Sequence, residues 1–403
     1  MSYYSFVIPC YNKSQLTEQA ITTLIKSLNN THLEKGIEII VVNDGSIDDT
    51  KKEVNKLKKI YDTNKINIIP INLEINMGYP VAVNMGLAEC KGNIISILNN
   101  DLIFPDHWFD GIVNTLENDD SIGMAVPYLS YAYGPQGLGL SFNSPEEMQE
   151  YAEKFMRENK DKLIYAHKVI GACMCLKKEL LSLIGGNDFW FGMGLYDDDD
   201  ICLRAGIAGY KIAIAGSSFV QHIGTVSLNQ EPIKLNAAFE SNVSKFCIKW
   251  NRNGFSHADR KGIIENVVYN KNEHFIPFKL EHFKQNYNKV IKQDDYKKIL
   301  FVADWTNKDS QWKTKLLNII NDSIFTEKKG HLHFWIPKTY FPEKELETAL
   351  NTVLGDNYPF IKYIFDDIYP SNILGFLKGY NNFIEVENDY VNRYFYYLFK
   401  NSQ

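Results

Sequence analysis

The sequence predicts an α/β protein with a mostly parallel sheet, followed by a smaller α/β unit. In the first half of the chain, short β-branched apolar runs alternate with stretches whose apolar residues recur at helical spacing. The same alternation restarts near residue 296, after a polar and irregular stretch. We therefore divide the chain into a first domain at 1–235, a helical and irregular connector at 236–295, and a small α/β domain at 296–403.

The first domain opens with four predicted strands. Residues 5–9 and 37–42 are β-branched runs, and an amphipathic helix from Leu16 to Leu28 lies between them. A lysine-rich helix follows the second run, and a helix beginning near Pro80 precedes the fourth strand. The remaining predicted strands of this domain are 66–71, 94–98, 170–176 and 212–220, and its later helices are 144–163 and 197–209. In the last domain, the alternating segments are 299–303, 312–320, 331–336, 346–354, 361–365 and 383–386.

Polar residues follow three of the predicted strands directly. They are Tyr11-Asn12, Asn43-Asp44 and Asn99-Asn100-Asp101. Taken singly, each cluster is what an ordinary turn uses. Because the carboxyl ends of parallel strands meet at one edge of an open α/β sheet, the three clusters together predict a ligand site there. Asp101 is suited to hold a divalent cation against a diphosphate, since hard cations take oxygen ligands.

A second polar group lies downstream. Four consecutive aspartates at 197–200 repel one another unless a cation offsets them, although a helix N-terminus accommodates one or two. One of them is also suited to take a proton from an incoming hydroxyl. His222 follows a predicted strand and offers an imidazole as a further metal ligand, while a structural histidine is the alternative.

Composition excludes several classes of protein. The 43 basic and 49 acidic side chains give a net charge of −6, which argues against a surface that binds nucleic acid. Hydrophobic residues make up 45% of the chain, enough for packed cores. No apolar run reaches the ~18 residues of a membrane span, and the first residues lack the pattern of a secretory signal. We expect a cytoplasmic protein that has no membrane-spanning helix. Peripheral association with the inner face of the membrane is compatible with this expectation.

The ordered set of motifs resembles family 2 glycosyltransferases. The resemblance covers roughly the first 250 residues, and the set is far more specific than any one of its members. Its motifs are Phe6-Val7-Ile8-Pro9-Cys10-Tyr11-Asn12, Val41-Val42-Asn43-Asp44-Gly45-Ser46, Asn76-Met77-Gly78 with Asn84-Met85-Gly86, Leu98-Asn99-Asn100-Asp101, Gly185-Gly186, Tyr196-Asp197-Asp198-Asp199-Asp200, Leu203-Arg204 and His222-Ile223-Gly224.

The resemblance implies a GT-A fold that binds a nucleotide-sugar and a divalent cation, Mn²⁺ or Mg²⁺, and inverts the anomeric carbon. It places Asp198 as the catalytic base, with Asp197 in the position of the usual glutamate and as the alternative base. Asp101 and His222 would hold the metal. The donor-binding residues it implies are Pro9, Tyr11, Asp44, Asn84, Asn99 and Asn100. Asn99 replaces the first acid of the usual Asp-x-Asp, which leaves the metal requirement open.

The resemblance leaves the substrates open. Rhamnosyltransferase-like members share the Asn-Asn-Asp form, as do relatives that use other sugars, so hexosyl and deoxyhexosyl transfer both fit. We expect a UDP- or dTDP-sugar donor and a glycan, lipid-linked or protein acceptor in cell-surface glycan biosynthesis. Trp190 is predicted to stack on the acceptor sugar. The C-terminal domain has no assigned role, and an oligomer contact is one option.

Two other functions compete with transfer. A sugar-nucleotide-binding protein without transfer activity would explain the neutral Asn99 and Asn100, but the acidic and histidine residues that chemistry needs are present. A nucleotidyltransferase has a similar sheet, but it usually needs a basic glycine-rich loop near the N-terminus, and the sequence shows none there.

Overall fold

The computed structural model describes residues 4–224, 232–252, 256–283, 297–308, 310–319, 330–354, 361–364, 368 and 373–402. The chain forms two compact units. The first comprises Met1–Asn187, Asp198–Gln230 and Ser256–His274, and the second comprises Asp188–Asp197, Glu231–Phe255 and Phe275–Gln403. The units are therefore not the three consecutive segments expected from the sequence. Residues 284–295 of the expected connector, and the ends of two predicted elements at 320 and 365, lie outside the described residues.

The first unit contains a mixed sheet whose strands follow the order β3-β2-β1-β4-β8-β6-β9-β5, with β7 paired to β9. Strands β1 to β4 are parallel to one another, and β6 is parallel to β9, whereas β8 runs antiparallel to both β4 and β6. The strands are β1 (Tyr4–Cys10), β2 (Ile37–Asn43), β3 (Ile66–Asn72), β4 (Ile94–Leu98), β5 (Leu102–Ile103), β6 (Ile122–Leu129), β7 (Leu163–Ala166), β8 (Cys173–Lys177) and β9 (Lys211–His222).

The helices of this unit cover the sheet. Strands β1, β2 and β4 are buried along their whole length, as expected of parallel strands with helices on both faces. The helices are α1 (Ser14–Ser27), α2 (Asn30–Lys35), α3 (Thr50–Tyr61), α4 (Tyr79–Glu89), α5 (Trp108–Asn118), α6 (Pro145–Glu158), α7 (Lys178–Ile184), α8 (Asp197–Ile207), α10 (His257–Asn266) and α11 (Lys271–His274); α9 (Pro232–Lys249) belongs to the second unit. The predicted α/β architecture of the first domain is confirmed.

The second unit contains a four-stranded parallel sheet in the order β12-β11-β10-β13, which confirms the predicted smaller α/β unit. Its strands are β10 (Lys297–Phe301), β11 (Gly330–Trp335), β12 (Ile361–Ile364) and β13 (Asn382–Phe383). Besides α9, its helices are α12 (Trp312–Ile319), α13 (Glu343–Leu354), α14 (Ile373–Leu377) and α15 (Tyr390–Ser402). Among the described residues, none of the helices combines the length and apolar character needed to cross a bilayer.

A buried arginine joins helix α8 to the glycine turn after α7. Arg204 is fully buried, and its Nε donates to Asp200 Oδ2 at 2.7 Å. Its two terminal nitrogens donate to the carbonyl oxygens of Ile184 and Gly186, each at 2.7 Å. The guanidinium fork thus fixes the start of α8, where the four aspartates lie, against the Gly185-Gly186 turn.

We expect Arg204→Ala to lower the free energy of unfolding by about 3–5 kcal/mol, because it leaves the Asp200 carboxylate and two carbonyl groups buried without the cation. Urea denaturation measures this loss. Arg157→Ala is the control, since Arg157 is exposed on α6 and its loss should change stability little. Equal denaturation midpoints for the two variants would contradict this role of Arg204.

Candidate active site

The loops after β1 and β2 lie side by side at the carboxyl edge of the sheet. The backbone N–H of Asn12 donates to Ser46 Oγ at 2.8 Å, and the N–H of Ile47 donates to Asn12 Oδ1 at 3.0 Å. Asn12 takes a left-handed conformation, with φ of 56°, which Asn tolerates better than most residues. Pro9 is buried within β1, and Tyr11 beyond it is 46% exposed. The Tyr11 side chain is therefore partly exposed to solvent at this edge of the sheet.

Asp44 fixes the loop that leads into α4. Its Oδ1 accepts the backbone N–H of Met77 at 2.6 Å, and its Oδ2 accepts the N–H of Gly78 at 3.0 Å. The carboxylate is buried. Asp44 therefore holds the Asn76-Met77-Gly78 segment against the end of β2.

Asn84 lies within α4, and the structure gives it a role different from the predicted one. Its Nδ2 donates to the carbonyl oxygen of Asn187 at 2.7 Å, and its Oδ1 accepts the N–H of Asn187 at 2.8 Å. The residue is 2% exposed. The prediction that Asn84 lines the nucleotide pocket is corrected, because its amide is buried and holds the backbone after the glycine turn.

The Asn99-Asn100-Asp101 segment lies where β4 meets the antiparallel β8. Leu98 is paired with Cys173, and the N–H of Asn99 donates to the carbonyl oxygen of Ala172 at 2.8 Å. The Tyr79 hydroxyl lies 3.1 Å from Asn99 Oδ1 and 3.3 Å from the carbonyl oxygen of Gly171. Strand pairing and this hydroxyl therefore bring Gly171 next to the predicted donor motif. Asn100 Nδ2 donates to Thr17 Oγ1 at 3.0 Å, which ties the motif to α1.

Asp101 and His222 face each other because β5 pairs with the end of β9. The register places Leu102 opposite His222, and Asp101 Oδ1 lies 3.4 Å from His222 Nε2. His222 Nδ1 lies 2.8 Å from the carbonyl oxygen of Tyr131, which can only accept, so Nδ1 carries a proton. In the neutral imidazole, the Nε2 lone pair then points towards a carboxylate, and a proton or a metal ion is needed between the two groups.

The pKa of His222 reflects this geometry. Burial is the largest influence and lowers the pKa, but the hydrogen bond and charge of Asp101, with the Tyr131 carbonyl, raise it by more, so the pKa is raised overall. The two side chains are also largely shielded, with 11% of the His222 and 9% of the Asp101 side chain exposed. The pair therefore attracts a positively charged species.

Asp198 contacts the segment beside the donor motif. Its Oδ2 accepts the N–H of Gly171 at 3.2 Å, and its Oδ1 accepts the N–H of Asp199 at 2.9 Å. Three contacts, through Gly171 and Tyr79, connect Asp198 to Asn99. Asp198 is partly exposed, whereas Asp197 is only 4% exposed. Of the two predicted carboxylates, Asp198 has the better access to a ligand.

Two cations flank the next aspartate. Asp199 forms ion pairs with Lys168 and with Arg260, whose Nε and Nη2 lie 2.8 and 2.6 Å from Asp199 Oδ1.

The neighbouring charges also act on Asp198. Burial raises the pKa of Asp198, the charge of Lys168 lowers it, and the charge of Asp199 raises it, so the overall shift of the pKa is upward. Burial therefore makes the charged form of Asp198 less favourable, and the charge of Lys168 partly offsets this effect.

The prediction for Trp190 is wrong. Trp190 is 3% exposed, within the second unit. Its ring stacks on Tyr340 at a centroid distance of 5.1 Å and an interplanar angle of 23°, and Trp335 and Phe395 pack around it. A ring enclosed in this way offers no face to an acceptor sugar. Local sequence could not reveal this, because the covering aromatic residues come from a distant part of the chain.

The first unit therefore brings together Asn99, Asn100, Asp101, His222 and Asp198. Sequence reasoning missed Tyr79, Gly171 and Lys168, which connect or balance the predicted residues. Tyr79 could have been noticed beside Pro80 at the start of a predicted helix, but no local pattern marks Gly171 or Lys168. Among the described residues, no group of three or more His, Cys, Asp or Glu side chains forms a complete cage for a metal ion.

Similar proteins match part of the chain. A Haemophilus influenzae protein described as an uncharacterized glycosyltransferase is 31% identical over 125 residues, which are 31% of this chain and 36% of that protein. The undecaprenyl-phosphate 4-deoxy-4-formamido-L-arabinose transferase of Proteus mirabilis is 34% identical over 113 residues, which are 28% of this chain and 33% of that protein. The chain thus spans about a third of the length of these curated relatives.

Among solved structures, the mannosyltransferase PcManGT from Pyrobaculum calidifontis, in complex with GDP-Man and Mn²⁺, is similar with a TM-score of 0.45 and 17% identity. The alignment covers 65% of this chain and 68% of that one. The family model for glycosyl transferase family 2 matches residues 5–184, from strand β1 to the end of α7. This matched segment contains the strand-end motifs described above. Over residues 5–184, the chain is therefore similar to glycosyl transferase family 2.

Proposed function

We propose that the protein transfers a sugar, with inversion, from a nucleotide-diphosphate donor to a hydroxyl group, with a divalent cation at Asp101 and His222 and with Asp198 as base. The observation that carries the proposal is the chain of contacts from Asp198 through Gly171 and Tyr79 to Asn99, two residues before the Asp101–His222 pair. A candidate base and a candidate cation site therefore flank the same strand end.

The donor nucleotide fits the edge formed by the loops after β1 and β2. The Tyr11 ring is open there, and Asp44 keeps the loop before α4 in place. Parallel α/β sheets bind ligands at this edge. We place the diphosphate beside Asn99 and Asn100, whose neutral amides hydrogen-bond phosphate oxygens without adding negative charge. UDP- and dTDP-sugars are the donors that we expect.

The residues present fit a divalent cation. His222 Nδ1 is bound to the Tyr131 carbonyl, which fixes the ring and leaves Nε2 free to ligate beside Asp101 Oδ1. One carboxylate and one imidazole are few ligands, and such sites are completed by substrate phosphates. A cation bound there supplies positive charge against the developing charge of the leaving diphosphate. Mn²⁺ accepts imidazole as well as oxygen ligands, and Mg²⁺ is the alternative.

Asp198 is placed to receive the proton of the attacking hydroxyl. Gly171 and Asp199 donate backbone hydrogen bonds to its two oxygens, which orients the carboxylate. Its raised pKa brings the carboxylate closer to the operating pH, which favours general-base catalysis. Attack from the side opposite the leaving diphosphate gives inversion, and no covalent sugar-enzyme intermediate is needed.

The acceptor class is proposed from the name of a similar protein. The Proteus mirabilis relative is named for undecaprenyl phosphate, which supports a lipid-linked acceptor, here a lipid that carries a sugar with a free hydroxyl group. Such an acceptor fits work at the cytoplasmic face of the membrane.

A thermal-shift screen of nucleotide-sugars with and without Mn²⁺ tests the proposal. A donor at 100 times its Kd stabilises the native state by about 2.7 kcal/mol. We expect a UDP- or dTDP-sugar to raise the melting temperature, and Mn²⁺ to increase the effect. Transfer products are then sought with the donors that bind. No stabilisation by any donor, with or without Mn²⁺, would contradict the proposal.

The charge of Lys168 gives a prediction on pH. A base must be deprotonated, so activity is lost as the pH falls through the pKa of Asp198, which is raised above the usual aspartate value. This loss of activity is the acidic limb of the pH profile. Lys168 lowers this pKa, so Lys168→Met should move the acidic limb of the kcat profile to higher pH. Lys168→Arg retains the charge and should leave the limb in place. A limb that does not move in Lys168→Met would show that Asp198 is not the titrating group.

A further inference from the structure

Two tyrosines stand on the surface directly after β6. Tyr131 is 39% exposed and Tyr133 is 79% exposed, and their ring centroids lie 6.3 Å apart. A tyrosine that is four-fifths exposed contributes little to the core. Tyrosine provides a large, rigid contact surface that is apolar on its face and polar at its tip, and little conformational entropy is lost when it binds.

The first tyrosine is fixed to the candidate cation site. The carbonyl oxygen of Tyr131 accepts the Nδ1 proton of His222, and the two ring centroids are 6.4 Å apart. Gly224 lies against the ring so closely that a Cβ added to it would be 2.6 Å from Tyr131 Cδ1. The position of the Tyr131 ring is therefore set by the strand that carries His222.

The other end of this loop is fixed to the segment that contacts the candidate base. Gln136 is 1% exposed, its Nε2 donates to the carbonyl oxygen of Pro127 at 3.2 Å, and its Oε1 accepts the N–H of Ile170 at 2.8 Å. Ile170 immediately precedes Gly171, whose N–H donates to Asp198. The loop that carries Tyr131 and Tyr133 thus links the His222 strand to the Asp198 contact and is held at both ends.

The sheet order separates this loop from the nucleotide edge. Strands β8 and β4 lie between β6 and β1, so the ends of β6 and β1 are three strand spacings apart, about 14 Å. Tyr11 and Asp44 follow β1 and β2, whereas the two tyrosines follow β6, the neighbour of the strand that ends at His222. A donor whose nucleotide lies over the ends of β1 and β2 therefore leaves the two tyrosines open to the second substrate.

We propose that Tyr131 and Tyr133 form a stacking subsite for the sugar ring of the acceptor. The apolar face of a pyranose packs on the tyrosine rings, and its hydroxyl groups remain free to hydrogen-bond and to reach Asp198. The loop needs no reordering for this, since Gln136 and His222 already fix it, and a preorganised site loses less free energy on binding. The subsite takes a carbohydrate acceptor, and it rests on the proposed transfer function.

Saturation-transfer NMR on the full chain tests the subsite without requiring activity. The probes are the methyl glycosides of glucose, galactose, N-acetylglucosamine and rhamnose, with UDP and dTDP as nucleotide probes. We expect at least one glycoside to receive saturation from the wild type, and Tyr133→Ala to weaken its binding about tenfold, the size expected for one lost aromatic stack. Tyr133→Trp keeps a stacking face and should retain the signal.

Tyr165→Ala is the matched control. Tyr165 is 53% exposed on β7 and is paired with Ala213 of β9. Ala213 lies nine residues before His222 on β9, so Tyr165 is roughly 30 Å from His222. It should keep all signals. Glycoside signals that are absent from the wild type, or equal in Tyr133→Ala and wild type, would overturn the subsite. Nucleotide signals that are absent from the wild type would instead contradict the proposed function, so the two failures are distinguishable.

Discussion

Asp198→Asn is expected to lower kcat for sugar transfer about 10²–10⁴-fold, the contribution of a positioned general base. The asparagine retains one carbonyl oxygen and can keep one of the two backbone hydrogen bonds, from Gly171 or from Asp199. Nucleotide-sugar binding should survive, because the contacts of Asp44 and Asn99 are not touched. Isothermal titration with the donor and a product assay measure the two quantities on the same sample.

Stability gives an independent check on this variant. Burial disfavours the charged form of Asp198, as its raised pKa shows, so the neutral amide should not lower the urea midpoint. A loss of activity is then a loss of chemistry and not of folded protein. A protein that only binds sugar nucleotides would show no transfer in either form, and Asp198→Asn would change nothing measurable.

Asp197→Asn is the matched control, one residue away. Asp197 is 4% exposed, and we expect a much smaller effect on kcat than at Asp198. If Asp197→Asn abolishes transfer while Asp198→Asn retains it, the base is assigned to Asp197 and the Gly171 contact serves only to position the helix. If both variants keep full activity, general-base catalysis by this run is excluded.

The strand-end motifs could be predicted from sequence because they depend on local pattern and one topological rule. Three of the first four strands, β1, β2 and β4, are each followed by a polar cluster, and parallel strands place such clusters at one edge. The β4 boundaries predicted from periodicity, 94–98, match those of the structure. The resemblance to family 2 proteins added the order of the motifs, and the family match over residues 5–184 agrees with it.

The connections between the motifs could not be predicted, because they depend on non-local pairing. Asp198 reaches the donor motif through Gly171, and Gly171 lies there because β8 runs antiparallel to β4. Asp101 meets His222 through the two-residue strand β5, too short to give a periodic signal. Trp190 shows the opposite error, since an aromatic loop reads as exposed until its covering residues are known.

Asp101→Asn is expected to weaken Mn²⁺ binding and to lower kcat/KM at least about 10²-fold, because metal stabilisation of a leaving group contributes several kcal/mol and each 1.36 kcal/mol is tenfold. The amide oxygen that replaces the carboxylate carries no charge, so both the cation and the proton on His222 lose their attraction. Mn²⁺ titration followed by electron paramagnetic resonance, in the presence of UDP, measures affinity apart from turnover.

The double variant makes this test sharp. If Asp101 and His222 hold one ion, removing either side chain abolishes the site. The double variant, Asp101→Asn with His222→Ala, should then lose about as much Mn²⁺ affinity as the more damaging single variant, and not the sum of the two single losses. His107→Ala is the control, since His107 forms a similar pair with Asp110 at 2.9 Å on the exposed start of α5. Additive losses of Mn²⁺ affinity in the double variant would mean that the cation is bound elsewhere. A loss of Mn²⁺ binding in His107→Ala equal to that in Asp101→Asn would mean the same. The leaving diphosphate would then need another source of positive charge.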